Sequence, residues 1–355
     1  MSICFDGNSS GLEVRAPSNR FDAEFRERDS RCLRIGLINN MPDAAMEATE
    51  RQFCRLLDAA ADGFLVRLSL LALPGVPRSE ASRQRINRFY SAESLWNSHF
   101  DALIVTGREP KTADLMAEPY WENLTKALEW ADENTHSTVW SCLAAHAAVL
   151  HLDGINRRKS TTKHFGVFPC EQVGNHQLMA DMPSRFAMPH SRWNGVPEDE
   201  LSACGYSILT RAQGAGVDTF VKQRKSLFVF FQGHPEYESD TLLLEYRRDV
   251  RRYFRGESEG YPLLPHNYFD EDTAAALTAL RHKAMSRRSQ DLLIEVDDTL
   301  NERTISNTWC STGTPLYRNW LEYIACQKDR GLRVGRAAMG VQRVGSAASF
   351  AAGMS

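Results

Sequence analysis

Cys142 lies between the apolar run Ser137-Thr-Val-Trp-Ser141 and the small-residue run Leu143 to Val149, a pattern that predicts strand, sharp turn and helix with a thiol at the turn. A sulfur so placed sits above the carboxyl end of a strand and at the positive end of a helix, where dipole and free N–H groups favour a thiolate. Ala144 and Ala145 let the helix pack close to the strand that launches it, as a nucleophile elbow requires. Cysteine is also among the most often buried residue types, so the turn alone leaves a merely packed thiol open. The second half of the pattern lies downstream. Ser226-Leu-Phe-Val-Phe-Phe231 predicts a buried strand, and it ends in Gln232-Gly-His-Pro-Glu-Tyr237. There His234 can take the thiol proton. Glu236, two residues on along an extended chain, can accept the other imidazole N–H and hold the tautomer. Pro235 fixes the backbone between them, and Gly233 allows close approach.

Such a trio needs elements that bring two strand ends together. Residues 32–39 and 65–71 read as buried strands, and 100–105 as a third that ends in Thr106-Gly107. Met46, Phe53, Leu56 and Leu57 mark a helix over 45–59, and Trp121, Leu124, Leu128 and Ala131 another over about 119–134. This alternation predicts an α/β fold, a mostly parallel sheet with helices on both faces, in which sites gather at the carboxyl ends of strands. Thr106-Gly107, Cys142 and His234 all fall there. Residues 163–221 read as shorter, turn-rich segments that cover the sheet edge and the site, with paired strands near 206–210 and 217–221. Helices are expected over 240–255, 273–295 and 315–327. Residues 1–30 read as a loose extension, 31–330 as a single domain and 331–355 as a flexible tail.

Composition removes several function classes. With 42 basic against 45 acidic residues the net charge is −3, too balanced for nucleic acid as the main partner. Apolar runs stay far short of the roughly 18 residues a membrane span needs, and the start lacks the basic-then-apolar pattern of an export signal. Eight cysteines without a C-x-x-C pair fit neither a disulfide framework nor a zinc site, and His146 and His151, five apart, miss the helical spacing of zinc ligands. No metal and a reducing, cytoplasmic compartment are therefore expected.

The chain resembles the homoserine O-acyltransferase family, whose fold is that of class I glutamine amidotransferases. The resemblance runs from about residue 34 to 327. Leu37-Ile-Asn-Asn-Met-Pro42, Phe100-Asp-Ala-Leu-Ile-Val-Thr-Gly107, Cys142, Pro189-His-Ser-Arg192, Gly233-His-Pro-Glu-Tyr237, Arg248-Asp-Val250, His266-Asn-Tyr-Phe269 and Asn319-Trp-Leu321 carry it, in one order. It implies a ping-pong reaction in which Cys142 takes an acyl group from acyl-coenzyme A, the co-substrate, and passes it to the hydroxyl of homoserine, a step of methionine biosynthesis. It further implies His234 as proton shuttle, Glu236 as its orienter, and Lys163, Ser191 and Arg248 as contacts to the amino acid. No bound cofactor is implied; the partners are small molecules, and the state a homodimer.

Three departures modify these expectations. Family members carry glycine or glutamate where this chain has Lys111, the position that sorts acetyl from succinyl donors; a lysine there attracts a succinyl carboxylate and favours the succinyl donor. Lysines expected after Met41-Pro42 are replaced by Asp43-Ala-Ala-Met46, and the tryptophan usual after the nucleophile is Leu143. The oxyanion is then left to backbone N–H groups, those of Leu143 and Arg108, worth on the order of 3 kcal/mol each. The altered flanks also leave open an acyltransferase acting on serine or another amino alcohol, a glutaminase-like thiol hydrolase on the same scaffold, or a binding module that has lost activity.

Overall fold

In the computed structural model, residues 2–5, 30–91, 95–301, 305 and 308–351 are described, with the backbone alone for 332–351. The first half alternates strand and helix: β1 (Ile3–Phe5), β2 (Cys32–Ile38), α1 (Asp43–Ala60), β3 (Leu65–Leu71), α2 (Glu80–Phe89), β4 (Ala102–Thr106), α3 (Trp121–Asn134), β5 (Ser137–Ser141) and α4 (Leu143–Asp153). A long hairpin follows, β6 (Arg158–Gln172) with β7 (Arg185–Gly195), and then α5 (Glu198–Ala203). Five short strands come next, β8 (Ser207–Ile208), β9 (Thr210–Ala212), β10 (Gly216–Val217), β11 (Thr219–Gln223) and β12 (Leu227–Phe231). The chain closes with α6 (Thr241–Phe254), α7 (Glu271–Ser286), α8 (Gln290–Asn301) and α9 (Cys310–Ala351).

Near-continuous apolar runs suit strands covered on both faces, and the central sheet has the order β1-β3-β2-β4-β5-β12-β11-β8. The pairs from β1 to β12 are all parallel; β11 and β8 finish the edge antiparallel. Side chains alternate along each strand and so divide between the two faces. Ile35, Leu37 and Ile104 pack with α1 and with Leu316, Trp320 and Ile324 of α9 on one face. Leu103, Val105, Trp140 and Phe228 pack with α3 and α4 on the other. The fold is thus α/β, with a mostly parallel sheet between helical layers.

Three differences from the sequence reading have physical causes. The turn-rich stretch contains the long β6/β7 hairpin, whose strand pattern is masked by Pro169 and Pro189 and by a register shift between Lys159 and His164. With β9 and β10 it makes a second, four-stranded sheet. Helix α2 was not foreseen because it has no apolar stripe, Ser82 being its one buried residue. The helix expected over 273–295 is two, α7 and α8, broken at Arg287, which is extended (φ −152°, ψ 115°). A straight helix would carry its end away from the core; the break turns Val296 and Leu300 back beside Leu277 and Leu280 against Tyr246 and Val250 of α6.

At the ends of the chain, α9 runs on from 327 to Ala351, through most of the segment read as a tail. The segment read as a loose extension begins with β1, parallel to β3 and anchored by buried Ile3, while residues 6–29 lie outside the described residues. No helix among the described residues is long and apolar enough to cross a membrane.

Candidate active site

The register of two neighbouring strands sets the site. Ser141, last in β5, lies beside Phe231, last in β12, so both chains leave the sheet at the same level. The Cys142 N–H donates to the Phe231 carbonyl at 2.7 Å, and Cys142 then turns with φ 52° and ψ −112°. Positive φ is costly for a residue with a Cβ and persists where the surroundings enforce it. Helix α4 starts at the next residue, so its first-turn N–H groups, without intrahelical acceptors, lie beside the sulfur. Gly107, just past β4, has no room for a Cβ: one would meet the Leu143 Cβ at 2.6 Å and the Ala144 nitrogen at 2.8 Å. This close approach sets the backbone leading into Arg108 against the first turn of α4.

From the end of β12, Gly233 and His234 enter the crevice. The His234 N–H donates to the Pro189 carbonyl of β7 at 2.9 Å. Its ring Nδ1 lies 2.8 Å from Glu236 Oε1, which also accepts from Ser141 Oγ at 3.4 Å. With Nδ1 turned to Glu236, Nε2 is the ring nitrogen left for the neighbouring Cys142. Both His234 and Glu236 are 7% exposed. Burial alone would lower the His234 pKa, but the charges of Glu236 and Cys142 outweigh it and hold the imidazole well above its ordinary value. Tyr237 stacks on the ring, with centroids 4.1 Å apart, and its carbonyl accepts from Trp309 Nε1 at 2.7 Å, so the start of α9 buttresses the loop. His234 and Glu236 are therefore a hydrogen-bonded pair with Cys142 beside it.

A family model described as homoserine O-succinyltransferase matches residues 20–330. The chain belongs to the homoserine O-succinyltransferase family. It is 46% identical over 332 residues to a homoserine O-succinyltransferase of Rhodopseudomonas palustris, covering 92% of this chain and 100% of that protein. It is 44% identical to one of Methylorubrum extorquens, covering 83% and 88%. It is also similar to the solved structure of a glutamine amidotransferase from Thermotoga maritima, at 13% identity and a TM-score of 0.43 over 82% of this chain and 98% of that one. The protein is thus an acyltransferase of the homoserine O-succinyltransferase family.

The other residues singled out in the sequence fall into two groups in this acyltransferase. Lys163, Ser191 and Arg248 come together around α6. Lys163 Nζ lies 3.6 Å from Asp249 Oδ2 and over the Phe165 ring, Ser191 Oγ donates to Glu245, and Arg248 Nε donates to Asp249 Oδ1 at 2.8 Å. Lys111 and Arg108 lie in the loop after β4. Glu118, buried, accepts from the Lys111 N–H at 2.6 Å and from Thr112, which fixes the loop backbone while Lys111 itself is exposed. The Arg108 guanidinium reaches the Pro77 carbonyl at 3.4 Å.

Sequence reading missed three parts of this site. Glu245 accepts from both Ser191 and Tyr237, the latter at 2.7 Å, and so joins the α6 group to the ring that covers His234. Its position three residues before Arg248 on one helix was the available signal. Arg157 is partly buried and donates to the Ala113 carbonyl in the loop after β4 at 3.2 Å; burial lowers its pKa, opposed by Tyr120, Glu118 and Cys142.

The third part is a buried set, Cys170, His190 and Asp218, whose ligand-type atoms lie within 4.8 Å of one another. Arg192 Nε donates to His190 Nδ1 at 3.3 Å, which puts the ring proton on Nε2, facing Asp218 Oδ1 at 3.3 Å. Burial lowers the His190 pKa to about 4 and raises that of the Cys170 thiol. A protonated Nε2 and a neutral thiol are not metal-ligand forms. Arg192, His190 and Asp218 form a buried polar row behind Gly233, hydrogen-bonded between Arg192 and His190.

Proposed function

We propose that this protein moves a succinyl group from succinyl-coenzyme A to the hydroxyl of L-homoserine by a ping-pong reaction through a thioester on Cys142, in methionine biosynthesis. The observation that carries the reading is the His234 imidazole held between the Cys142 thiol and the Glu236 carboxylate. In the first half, the Cys142 sulfur attacks the thioester carbonyl while its proton rests on His234 Nε2. The tetrahedral oxyanion meets the backbone N–H groups of Leu143, at the start of α4, and of Arg108, in the loop after β4. Collapse expels coenzyme A as a thiolate, which takes the proton from His234. In the second half, His234 removes the homoserine hydroxyl proton as its oxygen attacks the acyl-cysteine. The regenerated sulfur leaves, and O-succinylhomoserine departs. Glu236 stabilises the imidazolium in both halves.

The acceptor carries an ammonium and a carboxylate, and the α6 group offers both complements. Lys163 and Arg248 suit the carboxylate, while Glu245, held by Ser191, suits the ammonium. On the donor side, Lys111 and Arg157 supply positive charge for the succinyl carboxylate, in keeping with relatives named homoserine O-succinyltransferase. Ester exchange at one thiol calls for no resident cofactor, and the buried thiols of Cys54 and Cys170 suit a reducing cytoplasm. A screen of succinyl- and acetyl-coenzyme A against homoserine and serine tests the reading. The highest kcat/KM is expected for succinyl-coenzyme A with homoserine; a clear preference for acetyl-coenzyme A or for serine overturns the corresponding half.

A further inference from the structure

His146, on α4 one turn after Cys142, and Gln232, two residues before His234, meet in a buried contact outside the catalytic trio. His146 Nε2 lies 3.0 Å from Gln232 Oε1, and both residues are almost fully buried. The direction of this bond follows from the other two made by the amide. Gln232 Nε2 donates to the Val217 carbonyl at 2.7 Å, and its Oε1 accepts from the Val196 N–H at 3.1 Å. Oε1 is therefore the acceptor, and His146 must hold its proton on Nε2 and donate it. The His146 Nδ1 is buried with no hydrogen-bond partner, so a second proton there would have nowhere to go. Burial, aided by Arg192 and Arg157 and opposed by Gln232, accordingly lowers the pKa to about 3, and the imidazole is neutral throughout the physiological range.

We propose that His146 is a positioning residue, whose neutral imidazole ties the helix bearing the nucleophile to the strand end bearing the base and so fixes the Cys142 to His234 separation. The two catalytic side chains follow different strands, β5 and β12, with a backbone bond from Cys142 to Phe231 at their ends. Past that bond, α4 and the 232–234 segment follow separate courses. The His146–Gln232 bond is a side-chain link between them. Through Val196 and Val217 it also fastens the segment to the end of β7 and to β10. The inference rests on the proposed roles of Cys142 and His234.

The test compares His146→Gln, whose amide nitrogen can occupy the place of Nε2, with His146→Asn, too short to reach Gln232, and with His146→Leu. Two readouts are taken on the full chain: the single-turnover rate of Cys142 acylation by succinyl-coenzyme A, and the pH dependence of Cys142 alkylation by iodoacetamide. A displacement of about 1 Å at a reacting pair costs up to about 100-fold in rate. His146→Asn and His146→Leu are therefore expected to acylate about 10- to 100-fold more slowly, with the pH below which alkylation falls away moved upward, and His146→Gln to restore both. A merely structural histidine would change thermal stability without moving the alkylation profile. Wild-type behaviour in folded His146→Asn, or no advantage of His146→Gln over His146→Asn, overturns the inference. If His146→Leu fails to fold, the two amide variants decide. Failure of the wild type to acylate at all would instead sink the proposed reaction, while the alkylation profiles would still report on the positioning.

Discussion

Replacing Glu236 by Gln keeps the shape of the side chain and an oxygen for the His234 Nδ1–H but removes the charge. The 2.8 Å contact joins groups that are both buried, so solvent screens it little. Two unit charges 4 Å apart at an effective dielectric constant of 20 interact by about 4 kcal/mol, and charge-assisted hydrogen bonds contribute a net of about 1.5–3 kcal/mol. Taking about 2–3 kcal/mol as the weakening of the imidazolium, at 1.36 kcal/mol per tenfold, acylation of Cys142 should slow by about 30- to 150-fold. Stopped-flow release of coenzyme A reads this rate. Glu236 Oε2 is buried without a hydrogen-bond partner, so the amide NH2 of the variant gains no acceptor, at a stability cost of about 1–3 kcal/mol.

The pH dependence has a definite sign. The folded-state pKa of His234 is raised, so its pairing with Glu236 stabilises the fold fully below the unfolded value of about 6.5 and is lost as pH rises through the folded value. The difference in unfolding free energy between wild type and E236Q should be largest near pH 6 and narrow on the alkaline side. An acylation rate close to wild type, or a stability difference that widens with rising pH, would refute the assignment of Glu236 as the charged orienter.

Further predictions address the surroundings. Gly233→Ala places a Cβ 2.5 Å from Met188 Cγ and 2.6 Å from Asp218 Oδ1, so the loop must shift. It should cost about 1–3 kcal/mol in thermal or denaturant unfolding and lower kcat more than it raises KM. Gly107→Ala meets the backbone of α4 at Leu143 and Ala144 and should likewise lower kcat by displacing the oxyanion-facing backbone. Lys163→Met should raise KM for homoserine while leaving single-turnover acylation of Cys142 unchanged, because Lys163 belongs to the α6 group. Asp218 is a depressed carboxyl: burial raises its pKa, but the neighbouring His190 and hydrogen bonds from Thr210 and Thr219 outweigh this, so its stabilisation is present at neutral pH and lost on acidification. The stability deficit of Asp218→Asn should accordingly be steady above about pH 4 and shrink below it in urea titrations.

What was legible in the sequence follows from what one-dimensional patterns encode. The parallel strands are buried on both faces and so appear as apolar runs at 32–38, 65–71 and 227–231; the elbow appears as a break between an apolar run and a small-residue run around Cys142. His234 and Glu236 share one short segment, so their pairing could be read locally. The long β6/β7 hairpin could not, because its prolines and register shift break the alternation, and α2 could not, because it buries almost nothing. The contacts of Glu245 with Ser191 and of His146 with Gln232 span 54 and 86 residues, and nothing local marks either partner. Such links exist only once the β5/β12 register and the position of β7 are fixed.

The most direct measurement of the proposed chemistry is the intact and peptide mass of the protein after mixing with succinyl-coenzyme A in the absence of acceptor, followed by addition of homoserine. One succinyl group should appear on the peptide containing Cys142 and disappear as O-succinylhomoserine forms, and Cys142→Ser should not turn over. A protein that remains unmodified while product forms, or that carries the acyl group on another residue, would contradict a thioester at Cys142.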